Sequence, residues 1–216
     1  MKPYAVLIFL LFVNATASAN SQLERVDTFI ESEIRKPLAK PFKDHVSLLD
    51  LNKLANVSFD SGIAYGVTVS KTVHTSYSDI RSRLQAPGGI FNVVSAVKTQ
   101  RNFVKLEETA NTLSLKLSIK VPIFSDFQTQ DLVSLREDAS GRGILEWKQI
   151  GDEGHLQYNR GAVVVESSGS SSRVTVIGVH ILKQENKVPW VGRDTASTFA
   201  KTHYSNYIAA LEEVLQ

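Results

Sequence analysis

The chain has 216 residues, a formal net charge of +2 and no cysteine. This length suffices for one domain with a substantial hydrophobic core, which packing alone must stabilise because disulfides cannot form. The small net charge argues against a nucleic-acid-binding protein, which usually has a strong basic excess, and the lack of cysteine excludes a lipoprotein anchor.

The first 19 residues have the layout of a secretory signal peptide. Lys2 precedes an apolar run from Tyr4 to Val13, and Ala17 to Ala19 form a small-x-small cleavage site. The apolar run spans about ten residues, whereas a bilayer-spanning helix needs roughly 20, so an uncleaved anchor is the less favoured alternative. We therefore expect cleavage after Ala19 and an exported protein, either periplasmic or secreted.

Residues 20–62 are predicted to form a helical prefix. Residues 21–36 carry apolar side chains at helical spacing and end before Pro37, and residues 47–55 are a second helix candidate. The apolar positions of the first helix are Leu23, Val26, Ile30 and Ile34. A Ser-Gly pair at 61–62 separates this prefix from the β-rich remainder of the chain.

A β-rich domain is predicted over residues 63–216. Its first strand lies at 63–73 and leads to a short helix at 74–85, which Pro87 and two glycines end. Further strand candidates, separated by turn-forming residues, lie at 91–100, 102–109, 112–121, 129–137, 143–150, 155–167 and 173–183. A long amphipathic helix over 194–215 completes the domain.

The segment 112–121 carries the clearest pattern. Apolar residues from Leu113 to Val121 alternate with polar ones without exception, which indicates a strand with one buried face. Pro122 cannot donate a hydrogen bond to a neighbouring strand, so it should end this strand, and 124–130 should form the turn to the next.

Together these elements predict an α+β fold, in which a curved antiparallel sheet of about seven strands wraps around the long C-terminal helix. The predicted short helix follows the first strand, and the helical prefix precedes it. A helix packed in a curved sheet commonly encloses a cavity, and ligand sites favour such concave apolar spaces.

The sequence shows no catalytic, metal-binding or cofactor-binding motif. Its five histidines never occur as H-x-H, H-x-x-x-H or H-E-x-x-H, and it has neither G-x-S-x-G nor a phosphate-binding glycine loop. We therefore expect no metal and no cofactor. The candidate ligand-binding residues, which fall in the elements that would enclose the cavity, are Trp147, Tyr158, Arg160, His180, Phe199, His203 and Tyr207. For each of them, an ordinary position in the core is the simpler alternative.

Three short motifs occur in order along the second half of the chain. They are the Pro-aromatic-Ser-Asp turn at 122–126, Arg160-Gly161 before a strand that leads to Arg173-Val174-Thr175, and Val188-Pro189-Trp190-Val191 before the last helix. With the order of strands, they resemble the START-like, helix-grip superfamily, which includes Bet v 1-like and polyketide-cyclase-like proteins, over residues 64–216. The turn departs from the family pattern, since it is longer and lacks the family's arginine.

The resemblance implies a cavity that holds a hydrophobic or amphipathic ligand, such as a lipid, and it allows transient contact with a membrane. Combined with export, it favours a carrier or sequestering protein that does not transform its ligand. One alternative is a small cyclase- or hydrolase-type enzyme that uses His180, His203, Tyr158 or Arg160 for acid–base chemistry. Another is an interaction module with a filled core, in which the prefix docks a partner or covers the mouth of the cavity.

Overall fold

The computed structural model describes residues 23–36, 44–49, 64–95, 101–119, 127–151, 156–182 and 193–215. Within them, eight strands form one antiparallel sheet in the order β1-β2-β8-β7-β6-β5-β4-β3. The strands are β1 (His45–Leu48), β2 (Ala64–Val73), β3 (Arg101–Glu108), β4 (Thr112–Ile119), β5 (Phe127–Glu137), β6 (Gly143–Gln149), β7 (Leu156–Ser168) and β8 (Ser171–Leu182). The sheet is curved and packs against a long C-terminal helix, so the predicted fold class is confirmed, with one strand more than the approximate number expected.

Four helices are described beside the sheet. They are α1 (residues 23–35), α2 (Tyr77–Gln85), α3 (Gly89–Val94) and α4 (Arg193–Leu215). The start of α2 is fixed by Ser76, whose hydroxyl accepts a hydrogen bond from the Asp79 backbone N–H at 3.2 Å. Both long predicted helices are confirmed, since α1 lies within 21–36 and α4 begins one residue before 194.

The helix α3 and the turn at Ser95 replace the first part of the strand predicted at 91–100, so that prediction is wrong for residues 91–95. Gly88 adopts a left-handed conformation with a φ of 72°, which turns the chain from α2 directly into α3. Ile90 and Val93 are buried at helical spacing. These two residues therefore form one face of a short helix. Residues 96–100 lie outside the described part of the chain.

Two further boundaries differ from the sequence prediction. The helix expected over 47–55 is wrong at residues 47 and 48, which belong to β1, where Ser47 pairs with Thr68 on β2; residues 50–55 lie outside the described ranges. The turn expected over 124–130 is wrong from Phe127 onward, because Phe127 pairs with Ile119 on β4. The strand expected over 129–137 is confirmed as β5, which begins two residues earlier. Pairing with a neighbouring strand outweighs local preference in both places.

The middle of the sheet is buried on both faces. On the inner face, defined as the face toward α4, Val163 and Val165 of β7 pack in one core cluster with residues of α2, α3 and α4. On the outer face, Ala162 and Val164 pack in a second cluster beneath α1. Successive residues of a strand point to opposite faces, so β7 contributes to both clusters and reads as a continuous apolar run.

Candidate functional site

A cavity lies between the inner face of the sheet and α4. Its volume is about 80 Å³. Its lining consists of Tyr65, Val94, Phe103, Leu115, Leu117, Asp131, Val133, Leu145, Trp147, Leu156, Asn159, Val163, Val176, His180, His203, Tyr204 and Tyr207. The wall is therefore largely aliphatic and aromatic, with a small number of polar groups.

Most of the polar side chains that the sheet contributes to the cavity wall lie in one row that crosses the strands. Tyr65 on β2 pairs with His180 on β8, and His180 pairs with Asn159 on β7. Asp131 on β5 continues the row, because the Asn159 amide reaches its carboxylate across β6. Residues paired across strands point to the same face, so the register alone brings these side chains together in the cavity.

Asp131 is the centre of a buried hydrogen-bonded group, named here the Asp131 cluster, which also contains Thr129, Trp147 and Asn159. The Thr129 hydroxyl donates to Asp131 Oδ1 at 2.8 Å, and Asn159 Nδ2 donates to Oδ1 at 3.1 Å and to Oδ2 at 3.0 Å. Trp147 Nε1 donates to Asn159 Oδ1 at 3.0 Å. Asp131 is only 2 % exposed, so a carboxylate is held inside a mostly apolar wall.

A second polar group joins the sheet to α4. His180 Nε2 and the Tyr204 hydroxyl share a hydrogen bond, and the Tyr65 ring lies 5.1 Å from the His180 ring. Complete burial raises the pKa of Tyr65 above its usual range, so its phenol stays neutral. His203 precedes Tyr204 on α4, and the centroids of their two rings are 6.2 Å apart. The imidazoles and phenols can donate or accept hydrogen bonds to a bound molecule.

Two glycines make room for the large rings. Gly161 and Gly178 pair across β7 and β8, and Trp147 pairs with Gly161 from β6. A Cβ atom on Gly161 would lie 2.3 Å from the Trp147 ring, and one on Gly178 would lie 2.0 Å from the Tyr204 hydroxyl oxygen. These positions need glycine because the two rings lie directly on the backbone of the sheet.

The structure places four of the seven candidate ligand-binding residues at the cavity, namely Trp147, His180, His203 and Tyr207. Phe199 belongs to α4, but its side chain lies outside the described part. Tyr158 and Arg160 do not line the cavity. They alternate with Asn159 and Gly161 on β7, so they point to the outer face beneath α1. A strand that is buried on both faces gives no alternation in its sequence, so its inward residues could not be identified in advance.

On the outer face, Tyr158 and Arg160 hold α1. Asp27 of α1 accepts hydrogen bonds from the Tyr158 hydroxyl, from Arg160 Nη1 at 2.8 Å and from Lys148 Nζ at 3.1 Å. We name these residues the Asp27 cluster. Burial and the bond to Asp27 raise the pKa of Tyr158 far above its usual range. Burial alone would raise the pKa of Asp27, but the bonds from Tyr158, Arg160 and Lys148 outweigh it and lower that pKa.

Sequence reasoning missed Asp131, Asn159 and Tyr65 as cavity residues. A usable signal existed for Asp131, since it shares the phase of Val133 and Leu135 in β5, both of which pack inward. An aspartate in phase with buried apolar residues indicates an inward-facing carboxylate. The strand expected over 129–137 contained Asp131, but its alternation was not used to assign an inward face.

Within the described ranges, no group of three or more His, Cys, Asp or Glu side chains is arranged to hold a metal ion. No helix in the same ranges combines the length and apolar character that membrane crossing requires.

The fold matches several solved structures, although no family model and no curated protein sequence matches the chain. A STAR-related lipid transfer protein from Xanthomonas axonopodis has a TM-score of 0.58 at 10% identity, covering 83% of this chain and 97% of that one. Human StAR-related lipid transfer protein 5 has a TM-score of 0.58 at 10% identity, covering 93% and 97%. Norcoclaurine synthase from Thalictrum flavum, in complex with dopamine and hydroxybenzaldehyde, has a TM-score of 0.51 at 13% identity, covering 83% and 96%. The chain therefore has the helix-grip fold, as predicted from the sequence.

Proposed function

We propose that this protein binds a hydrophobic or amphipathic, lipid-like ligand between the sheet and α4, and carries or sequesters it without transforming it. The observation that carries this proposal is the cavity itself, an apolar and aromatic enclosure with its polar groups gathered in one row. Two of the similar structures are lipid transfer proteins, and a third was solved with two aromatic compounds, which supports the same kind of occupant.

The size of the cavity bears on how a ligand would fit. The cavity volume of about 80 Å³ is below the range of about 300–1,000 Å³ that is usual for ligand sites. A pocket smaller than a few hundred Å³ favours the other alternative, an interaction module with a largely filled core, which makes it a further candidate function. We infer that the cavity takes one end of a ligand and that the remainder extends beyond it.

We also propose that the protein acts after export, on the basis of the signal-peptide pattern in residues 1–19. A lipid-like molecule is poorly soluble in an aqueous compartment, and enclosure in a protein cavity removes its apolar surface from water. Export and ligand enclosure are thus consistent with each other.

An enzyme of cyclase or hydrolase type is the second candidate. Asp131 and the pair of His180 and Tyr204 are titratable groups inside the cavity, which acid–base catalysis requires. Of the groups that the sequence suggested for this chemistry, only His180 and His203 line the cavity. An enzyme would return the bound molecule chemically changed, and a carrier would not.

The test is native mass spectrometry combined with organic extraction of protein expressed as the full chain and purified from the exported fraction. We expect a species with the mass of residues 20–216, carrying a lipid-like molecule that extraction recovers and that stays unchanged on incubation with fresh protein. An empty protein that also fails to bind a lipid panel would refute ligand binding. A processed ligand would favour the enzyme, and uncleaved protein in the cytoplasm would refute export.

A further inference from the structure

We propose that the hydroxyl of Tyr65 donates a hydrogen bond to an oxygen acceptor on the buried end of the ligand, such as a carbonyl oxygen. This inference rests on the proposed function and narrows its ligand class to molecules whose buried end carries oxygen. It starts from one feature of the cavity wall. Tyr65 is only 6 % exposed, yet its hydroxyl has no hydrogen-bond partner in the part of the chain that the structure describes.

The surroundings of Tyr65 leave its hydroxyl available. His180 lies beside Tyr65 on β8, but its Nε2 already shares a hydrogen bond with the Tyr204 hydroxyl on α4. The contact between Tyr65 and His180 is made by their rings, with centroids 5.1 Å apart. The Tyr65 oxygen is also not among the polar atoms sealed inside the described packing, so it reaches the space of the cavity. A bound molecule can therefore meet this hydroxyl directly.

The phenol is suited to the role of donor. Burial raises the pKa of Tyr65 above its usual range, so the hydroxyl keeps the proton that it would donate. A phenol can donate and accept hydrogen bonds, but delocalisation of the oxygen lone pair into the ring makes it the better donor. The ring is held in the inner core cluster beside Val67 and Val69, so little freedom is lost when a ligand binds. A ligand with an acceptor at this point satisfies a group that is otherwise left without a partner.

Other roles for the Tyr65 hydroxyl lead to different expectations. If a trapped water satisfied it, or if the ring served only as apolar packing, removal of the oxygen would affect all ligands alike. If it bonded another part of the protein, removal would lower the stability of the fold. A loss of affinity confined to ligands with an acceptor, at undiminished stability, is the readout that separates donation to the ligand from these roles.

The experiment compares two ligands of one shape, 2-decanone and 2-methyl-1-decene, which differ by a carbonyl oxygen in place of a methylene group. The ketone can only accept a hydrogen bond, and the alkene can neither accept nor donate one. Both compounds are volatile, so headspace gas chromatography above the protein solution measures the free concentration of each and hence its Kd. We expect Tyr65→Phe to weaken ketone binding by about three- to tenfold, the effect of losing one neutral hydrogen bond, and to change alkene binding by less than about twofold.

A matched control is Tyr77→Phe, which makes the same chemical change on α2. The Tyr77 ring packs against the same core cluster but lies outside the described cavity wall, so both affinities should stay at the wild-type level. Urea unfolding supplies the second readout. Tyr65→Phe should unfold at the same urea concentration as the wild type or at a higher one, because it removes a buried hydroxyl that has no partner in the protein.

Each other outcome counts against the inference. The same change in the two affinities, or no change in either, would overturn it and leave the proposed function intact. A Tyr65→Phe protein that is destabilised or does not fold would also overturn it, because the hydroxyl would then have a structural role. Binding of neither compound by the wild-type protein would overturn both the inference and the proposed function.

Discussion

At the scale of single residues, the cavity is shaped by two glycines on neighbouring strands. Gly161 and Gly178 lack the side chains that would fill the middle of the inner face, and the rings of Trp147 and Tyr204 occupy that space from β6 and α4. The Trp147 and Tyr204 rings contact each other edge to face, with centroids 6.2 Å apart. The position of α4 over the sheet thus depends on a glycine beneath Tyr204.

A Gly178→Ala substitution tests this contact. The added Cβ would lie 2.0 Å from the Tyr204 hydroxyl oxygen and 2.9 Å from the adjacent ring carbon, so the ring must move. We expect the free energy of unfolding to fall by about 1–3 kcal/mol, the usual cost of overpacking a core. Urea unfolding followed by circular dichroism measures this change.

A double-mutant cycle with Tyr204→Phe serves as the control. This second substitution removes the hydroxyl that would meet the new Cβ, so Gly178→Ala should cost at least about 0.5 kcal/mol less in the Tyr204→Phe background. Strictly additive costs would show that the two side chains do not meet and that α4 lies differently over the sheet.

At the scale of elements, α1 is attached to the outer face by both apolar and charged contacts. Val26, Ile30 and Ile34 pack on the second core cluster, and the Asp27 cluster lies at the edge of that contact. Arg142 adds a bond from its Nη1 to the Lys36 carbonyl oxygen at 3.1 Å, close to the end of the helix. The helix therefore covers apolar strand residues that a two-layer fold would leave in water.

The Asp27→Asn variant tests the charged part of this attachment. Because the bonds from Tyr158, Arg160 and Lys148 hold the pKa of Asp27 below its usual 3.8 in the folded protein, its carboxylate stabilises the fold above that pH. This contribution is lost as the pH falls through the lowered folded-state pKa. We expect Asp27→Asn to lower the free energy of unfolding by about 1–3 kcal/mol at pH 7, and by progressively less below pH 3.8.

Urea unfolding at a series of pH values measures the difference in free energy of unfolding between each variant and the wild type. Glu24→Gln is the matched control, since Glu24 is an exposed carboxylate on the same helix, and we expect it to change stability by less than about 0.5 kcal/mol. A difference between wild type and Asp27→Asn that stays constant from pH 7 to pH 3 would rule out the Asp27 carboxylate as its source.

The sequence allowed most elements of the fold to be predicted, for physical reasons that differ among them. The strand β4 alternates strictly because one face is buried and the other is wet, and α4 is long enough for its apolar stripe to be unmistakable. The short segments β1 and α3 were assigned to the wrong type of secondary structure. The conformation of β1 depends on its pairing with β2, and that of α3 depends on the turn at Gly88. Local pattern carries little information about such contacts.

The cavity was harder to predict than the fold. His203 and Tyr207 could be predicted because they lie on the apolar stripe of α4. Trp147 and His180 could be predicted because their side chains are aromatic or titratable. Asn159 and Tyr158 are neighbours on β7, yet only the former faces inward, and a strand buried on both sides does not reveal which is which. Sequence alone could name aromatic and titratable candidates, but the register of the sheet was needed to bring Asp131 beside Asn159.

At the scale of the whole molecule, one sheet separates two packing layers with different contents. The outer layer beneath α1 is an apolar core with charged bonds at its edge. The inner layer beneath α4 contains the cavity and its row of polar side chains. We propose that the inner layer holds the ligand and that the outer layer supports the sheet on which the site is built.

Native mass spectrometry of two variants on adjacent positions of β5 tests this claim most directly. Val133 is 3 % exposed and lines the cavity, whereas Leu132 is 39 % exposed, so Val133→Phe fills the cavity and Leu132→Phe adds the same ring outside it. We expect Leu132→Phe to retain the bound ligand at the wild-type level and Val133→Phe to lose at least nine-tenths of it while remaining folded. Equal ligand occupancy in the two folded variants would contradict the claim that the ligand binds between the sheet and α4.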